Sequence, residues 1–172
     1  MTGVVVVSSD TTVLASARES GADGIADLAH DGPRSIGDSL NAALTRAHAW
    51  IRQRDAAARV AIVAGDLPCA TPDDVGRVLA AANKHGRCFV ADHSGTGTTI
   101  LTAGAGQNLQ PMFGDDSAAL HRESGAWELT NDAPPQLRLD VDTAADLEIA
   151  AALGLGSSSQ RVLRERTPTQ SA

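Results

Sequence analysis

Short aliphatic runs alternate with stretches of helical periodicity along most of this chain. Residues 4–7 are four consecutive valines and predict a strand buried on both faces. Residues 11–20 place Val13, Leu14 and Ala17 at helical spacing and stop at Gly21. Residues 24–26 predict a short strand, and residues 27–38, carrying Gly32-Pro33 and Gly37, predict a loop. A long helix is expected over residues 39–55, where Leu40, Ala43, Leu44, Ala47 and Ile51 form one apolar stripe. After a strand at residues 60–64, Thr71-Pro72-Asp73-Asp74 opens another helix. It supplies a capping hydroxyl, a proline where no amide partner is needed, and acids at the positive end. Further strands are expected at residues 88–91, 99–101 and 137–139, with a short helix starting at Ser117. Thr143-Ala144-Ala145-Asp146 has the form of a capping box for a final helix that Gly154 ends.

Repeated strand, loop and helix units imply an α/β domain with a mostly parallel sheet covered on both faces. Ligands in such folds bind beyond the carboxyl ends of the strands. The domain is read as residues 1–154, followed by a flexible polar tail, residues 155–172, rich in Ser, Thr, Gln and Arg.

Composition narrows the class of partner. A chain of 172 residues suits one domain with one main core. A net charge of −7 argues against holding nucleic acid by phosphate neutralisation and leaves small molecules or proteins. Cys69 and Cys88 lie far apart without a C-x-x-C pattern, so they read as free thiols in a reducing cytoplasm. The valine run is too short for a membrane span or a signal segment. Trp50, Phe89, Phe113 and Trp127 are read as packing residues, and the histidines lack the spacing of a zinc site. Composition leaves the oligomeric state open.

The chemistry concentrates in acids that follow apolar runs. Gly65-Asp66-Leu67-Pro68 leaves the strand at residues 60–64, and Asp140-Val141-Asp142 follows the apolar residues at 137–139. On an extended segment Asp140 and Asp142 point to one side. Three carboxylates at strand ends suit a hard cation such as Mg²⁺ shared with substrate phosphates, the alternative being a set of turn and cap acids. Between these clusters, Ser94-Gly95-Thr96-Gly97-Thr98-Thr99 offers hydroxyls and close backbone approach to an anion, or else simply turns a hairpin. Phe113-Gly114-Asp115-Asp116-Ser117 opens a short helix, whose amino end either faces an anion or is an ordinary capped start.

Taken in order, Gly65-Asp66-Leu67-Pro68, Gly95-Thr96-Gly97-Thr98, Phe113-Gly114-Asp115-Asp116-Ser117 with His121, and Leu139-Asp140-Val141-Asp142-Thr143-Ala144-Ala145-Asp146-Leu147 resemble the 2-phospho-L-lactate guanylyltransferase family, on its phosphoenolpyruvate-using branch. The resemblance covers about residues 4–154. It implies a three-layer nucleotidyltransferase (nucleotide-diphospho-sugar transferase-like) Rossmann fold. It further implies transfer of GMP from GTP to phosphoenolpyruvate or 2-phospho-L-lactate, releasing pyrophosphate, in the biosynthesis of coenzyme F-420. Carried over, Asp66, Asp140 and Asp142 hold Mg²⁺, with Asp66 the catalytic residue. Thr98, Gly114 and Ser117 hold the phosphorylated carboxylic acid, and Asn41 lies near the nucleotide.

The chain also departs from the family's pattern. Its first strand matches the family's second, and Arg18 is the only Lys or Arg before Pro33 to stand in for the cations that hold the triphosphate. The expectation is an N-terminally truncated domain with two exposed strand edges. Two alternatives follow: a non-catalytic remnant that binds a phospho-acid or a protein partner, and a related enzyme such as a molybdenum-cofactor guanylyltransferase. The segment from Gly114 to Ser117, better suited to a small anion than to a pterin, argues against the latter.

Overall fold

The computed structural model describes residues 3–27 and 36–166. Most of the loop expected at residues 27–38 lies outside the described residues; where description resumes, residues 36–38 already belong to a helix.

The chain runs β1 (Val5–Ser8), α1 (Thr11–Glu19), β2 (Asp23–Ala26), α2 (Ile36–Arg54), β3 (Val60–Val63), α3 (Pro72–Ala82), β4 (Arg87–Ala91), β5 (Thr98–Ala103), α4 (Ser117–Glu123), β6 (Trp127–Glu128), α5 (Ala144–Leu153) and α6 (Ser157–Arg166). Both helix starts read from local chemistry are present. Thr71 caps α3 by accepting from the Asp74 amide, and Thr143 with Asp146 forms a reciprocal capping box on α5.

The strands form two sheets. β1 pairs in parallel with β2, and a four-stranded sheet has the order β3-β5-β4-β6. In the larger sheet β3, β4 and β6 run the same way and β5 alone runs against them. β4 and β5 are therefore a hairpin, and the Gly-Thr segment is its turn. β1 and β3 each pair on one side among the described residues, and Val63 on β3 remains 39% exposed.

Side-chain alternation divides the core between the faces of the larger sheet. Phe89, Ala91, Leu101 and Ala103 pack with Ile51 of α2 and Ala118 of α4. Cys88, Val90 and Ile100 pack with Val78 and Ala82 of α3. Helices thus cover both faces of the sheet in three layers. Both cysteines are free and buried. Phe89 is fully buried, but Trp127 is 56% exposed and stacks on His85 at 4.5 Å, so its expected packing role is corrected.

Two further expectations are corrected. Residues 137–139 do not form a strand: Pro135–Leu137 is a 3-10 turn, with the Leu137 amide donating to the Pro134 carbonyl. The adjacent prolines Pro134 and Pro135 remove two donors that a ladder needs. Nor is the chain a loose tail from residue 155. Leu155 is buried with Cys69, Leu139 and Ala150, Leu163 packs against them, and α6 continues to Arg166. A few apolar residues beside a waiting cluster suffice to dock an otherwise polar helix. Residues 167–172 lie outside the described residues.

Candidate active site

The acids and the hydroxyls meet where β3 ends and β5 begins. The Ala64 amide donates to the Thr99 carbonyl at 2.9 Å, so the turn carrying Asp66 lies next to the strand entry carrying Thr98. On the other side of Asp66, its carbonyl accepts from the Val141 amide at 3.1 Å. That bond lies between Asp140 and Asp142 in the chain. Two more contacts fasten the same turn. The Gly156 amide donates to the Pro68 carbonyl at 2.8 Å, and the Cys69 thiol donates to the Ala150 carbonyl at 3.2 Å.

Asp66 senses the other two acids. Burial by the surrounding rim raises the Asp66 carboxyl above its ordinary value, and the charges of Asp140 and Asp142 push it the same way. Asp140 Oδ1 is buried without a hydrogen-bond partner among the described residues. His93 Nδ1 stands 3.5 Å from it, too long for a good hydrogen bond. Asp142 is exposed, and its amide donates to the Asp146 carboxylate at 3.3 Å. Among the described residues, no three His, Cys, Asp or Glu side chains form a ready-made metal site. The acids gather on one rim, but they do not yet converge as ligands. Excess negative charge together with an orphaned carboxylate oxygen fits a divalent cation, which satisfies both.

The hydroxyl side is more completely organised. Ser117 and His121 lie one turn apart on α4 and face β5. Ser117 Oγ donates to Thr98 Oγ1 at 3.2 Å, and His121 Nδ1 lies 2.9 Å from the same oxygen. Ser117 is 1% exposed and Thr98 9%, whereas Gly114 is open to solvent with φ 128°. The first amides of α4 are not all available to an anion, because Ser117 N donates to Gly114 O and Ala118 N to Thr96 O. The helix-end reading is corrected to that extent.

Sequence reasoning missed the roles of three supporting residues. His121, fully buried, accepts a hydrogen bond at Nε2 from the Met112 amide at 3.1 Å. Asn41 bonds to both backbone polar groups of Phe113, which gives it a loop-holding role; the resemblance implies only that it lies near the nucleotide. Asp92 organises the hairpin turn by accepting from the amides of Gly95 at 2.7 Å and Thr96 at 3.0 Å. An Asp three residues before a glycine is a recognisable turn signal; the partners of His121 and Asn41 are too distant in sequence to leave one. A separate open cavity of about 500 Å³, lined by His85, Arg87, Gln107 and Trp127 among others, lies at the opposite end of β4 from this rim.

A family model described as MobA-like NTP transferase domain matches residues 1–138. Several relatives carry the name phosphoenolpyruvate guanylyltransferase. One from Nocardia farcinica is 44% identical over 162 residues, covering 94% of this chain and 70% of the relative. One from Streptomyces coelicolor is 48% identical over 126 residues, covering 73% of this chain and 59% of the relative. One from Mycobacterium leprae is 42% identical over 160 residues, covering 93% of this chain and 71% of the relative. The chain therefore spans roughly three fifths to seven tenths of the length of these relatives. With its acidic rim, its helix-covered sheet and a family match over most of its length, the chain belongs to the MobA-like NTP transferase family.

Proposed function

We propose that this domain is a guanylyltransferase that moves GMP from GTP to phosphoenolpyruvate with release of pyrophosphate, as the names of its relatives indicate. The observation that carries the reading is the bond from the Ala64 amide to the Thr99 carbonyl, which sets the acid turn beside the hydroxyl pocket. One rim then offers a place for a cation with a triphosphate and, adjacent to it, a place for a small anion.

In this reading Asp66, Asp140 and Asp142 hold Mg²⁺, and Thr98 with the loop of Gly114 takes the phospho-acid. Ser117 acts through Thr98, to which its hydroxyl is already committed. When bound, the cation neutralises phosphate charge and polarises the α-phosphoryl group. A phosphate oxygen of the acceptor forms a bond to the α-phosphorus of GTP while the bond from that phosphorus to the bridging oxygen breaks, and pyrophosphate leaves with the electron pair. The protein's task is positioning and charge balance, so no side-chain nucleophile is required. The motif resemblance implies a place in coenzyme F-420 biosynthesis, and phospholactate is the competing acceptor. No helix among the described residues is long and apolar enough to cross a membrane.

A second reading, a domain that binds the phospho-acid without turning over, is favoured by the incomplete convergence of the three acids. Pyrophosphate release with GTP, Mg²⁺ and phosphoenolpyruvate separates the two. Turnover that vanishes in Asp66→Ala and Asp142→Ala supports the transferase. Phosphoenolpyruvate binding without turnover, unaffected by either change, supports the binder.

A further inference from the structure

We infer that His121 is a positioning residue that fixes the Thr98 hydroxyl as an outward hydrogen-bond donor to the anionic acceptor. The inference rests on the reading of Thr98 as an acceptor contact given above.

The argument starts at a backbone amide. The Met112 N–H, 3.1 Å from His121 Nε2, can only donate, so Nε2 must present a lone pair. The ring is fully buried between Phe89 and Phe113, with centroid separations of 5.9 and 5.4 Å, a setting that favours neutral imidazole. A neutral ring with a bare Nε2 carries its proton on Nδ1. Nδ1–H then donates to Thr98 Oγ1 at 2.9 Å.

Thr98 Oγ1 also accepts from the Ser117 hydroxyl at 3.2 Å. A hydroxyl has two acceptor lone pairs and one proton. Both lone pairs are occupied, so the proton is what Thr98 has left to offer, and it points away from His121 and Ser117. A phosphate or carboxylate oxygen is the partner that such a donor prefers. The opposite tautomer would draw the Thr98 proton inward and turn a lone pair toward the anion. The Met112 amide excludes that tautomer. Asn41 holds the neighbouring Phe113 backbone from α2, so the loop that sets the tautomer is itself held in place. The consequence is preference for anionic oxygen at this point, established before the ligand arrives.

The test is calorimetric binding of phosphoenolpyruvate to the full chain in the presence of Mg²⁺, with thermal unfolding as a check on folding. Thr98→Val removes the donor and is expected to weaken binding by about 10-fold or more, as loss of a hydrogen bond to a charged group does. His121→Gln keeps an acceptor for the Met112 amide but no donor at the Nδ1 position, and is expected to weaken binding comparably. His121→Asn restores a donor at the Nδ1 position and should recover part of the loss. In the Thr98→Val background, His121→Gln should cost nothing further. Unchanged affinity in Thr98→Val would remove Thr98 from the acceptor site and so overturn the underlying reading. A loss in Thr98→Val combined with wild-type affinity in His121→Gln, or with full additivity in the double variant, would leave that reading intact and overturn the role of His121. Long-range ¹H–¹⁵N correlation on the wild-type protein reads the tautomer directly and needs no variant to fold: a proton on Nδ1 is expected, and a proton on Nε2 refutes the inference.

Discussion

Asn41 and Phe113 exchange two hydrogen bonds: Asn41 Nδ2 donates to the Phe113 carbonyl at 2.9 Å, and the Phe113 amide donates to Asn41 Oδ1 at 2.8 Å. A side-chain amide in α2 thus takes the place of a neighbouring strand for one residue of the loop that leads to Gly114. Replacing Asn41 with Leu leaves both backbone groups of Phe113 without that partner. A loss of about 2 kcal/mol in urea unfolding is expected. Asn41→Asp should be at least as harmful, because a carboxylate keeps the acceptor but faces the Phe113 carbonyl with negative charge. A residue serving chiefly as a nucleotide contact would instead raise KM for GTP and leave stability unchanged.

The parts of this fold that are legible in the sequence are those decided locally. Thr71 and Thr143 announce helix starts because the groups they cap lie within three residues. The apolar runs at β3 and β4 announce strands because few other structures bury consecutive aliphatic side chains. The direction of β5 is legible only as one of two alternatives, since the Gly-Thr segment before it reads either as a hairpin turn or as an anion cradle. Residues 137–139 depart from the strand expectation because the proline pair before them outweighs their apolar content. At the site, the order of the acidic and Gly-Thr motifs is legible. The hub at His121 is not, for its partners come from β5 and from the loop at Met112.

The buried imidazole makes stability depend on acidity in a defined window. Burial, and secondarily the positive charge of Arg87, lower His121 from 6.5 to about 4. Between these values the unfolded chain takes up a proton that the native state refuses, so native stability falls as pH drops from about 6.5 to about 4. The loss is on the order of 3 kcal/mol and does not grow further below that window. His48, lowered by burial and by Arg52, adds to the same trend. Urea unfolding across this range should show a shallower slope in His121→Asn than in the wild type.

Asp66 works in the opposite sense. Its raised carboxyl means that the native state holds a proton after the unfolded chain has released it. Its contribution is favourable at low pH and is lost as pH rises through the native value. Asp66→Asn should therefore raise the melting temperature at pH 7 in a chelating buffer while abolishing turnover. Added Mg²⁺ should stabilise the wild type more than the variant.

In the hairpin turn one carboxylate, that of Asp92, accepts from two backbone amides. A Cβ placed on Gly97 would come within 2.7 Å of Asp92 Oδ2, and Gly95 adopts φ 81°. Asp92→Ala should speed hydrogen exchange at the Gly95 and Thr96 amides by about tenfold, as loss of roughly 1–2 kcal/mol of local hydrogen bonding implies. Gly97→Ala should displace the same carboxylate and reproduce that acceleration.

The hydrogen bond from the Val141 amide to the Asp66 carbonyl joins the exit of β3 to a segment laid down much later in the chain. A nascent or partly folded polypeptide can build the β4–β5 hairpin and the helix caps from near neighbours, but it has no acidic rim until this long loop closes. The rim is therefore an index of completed folding. A ligand that spans it can be captured only by the finished molecule, so its binding energy adds to the cooperativity of the whole chain rather than to any early intermediate.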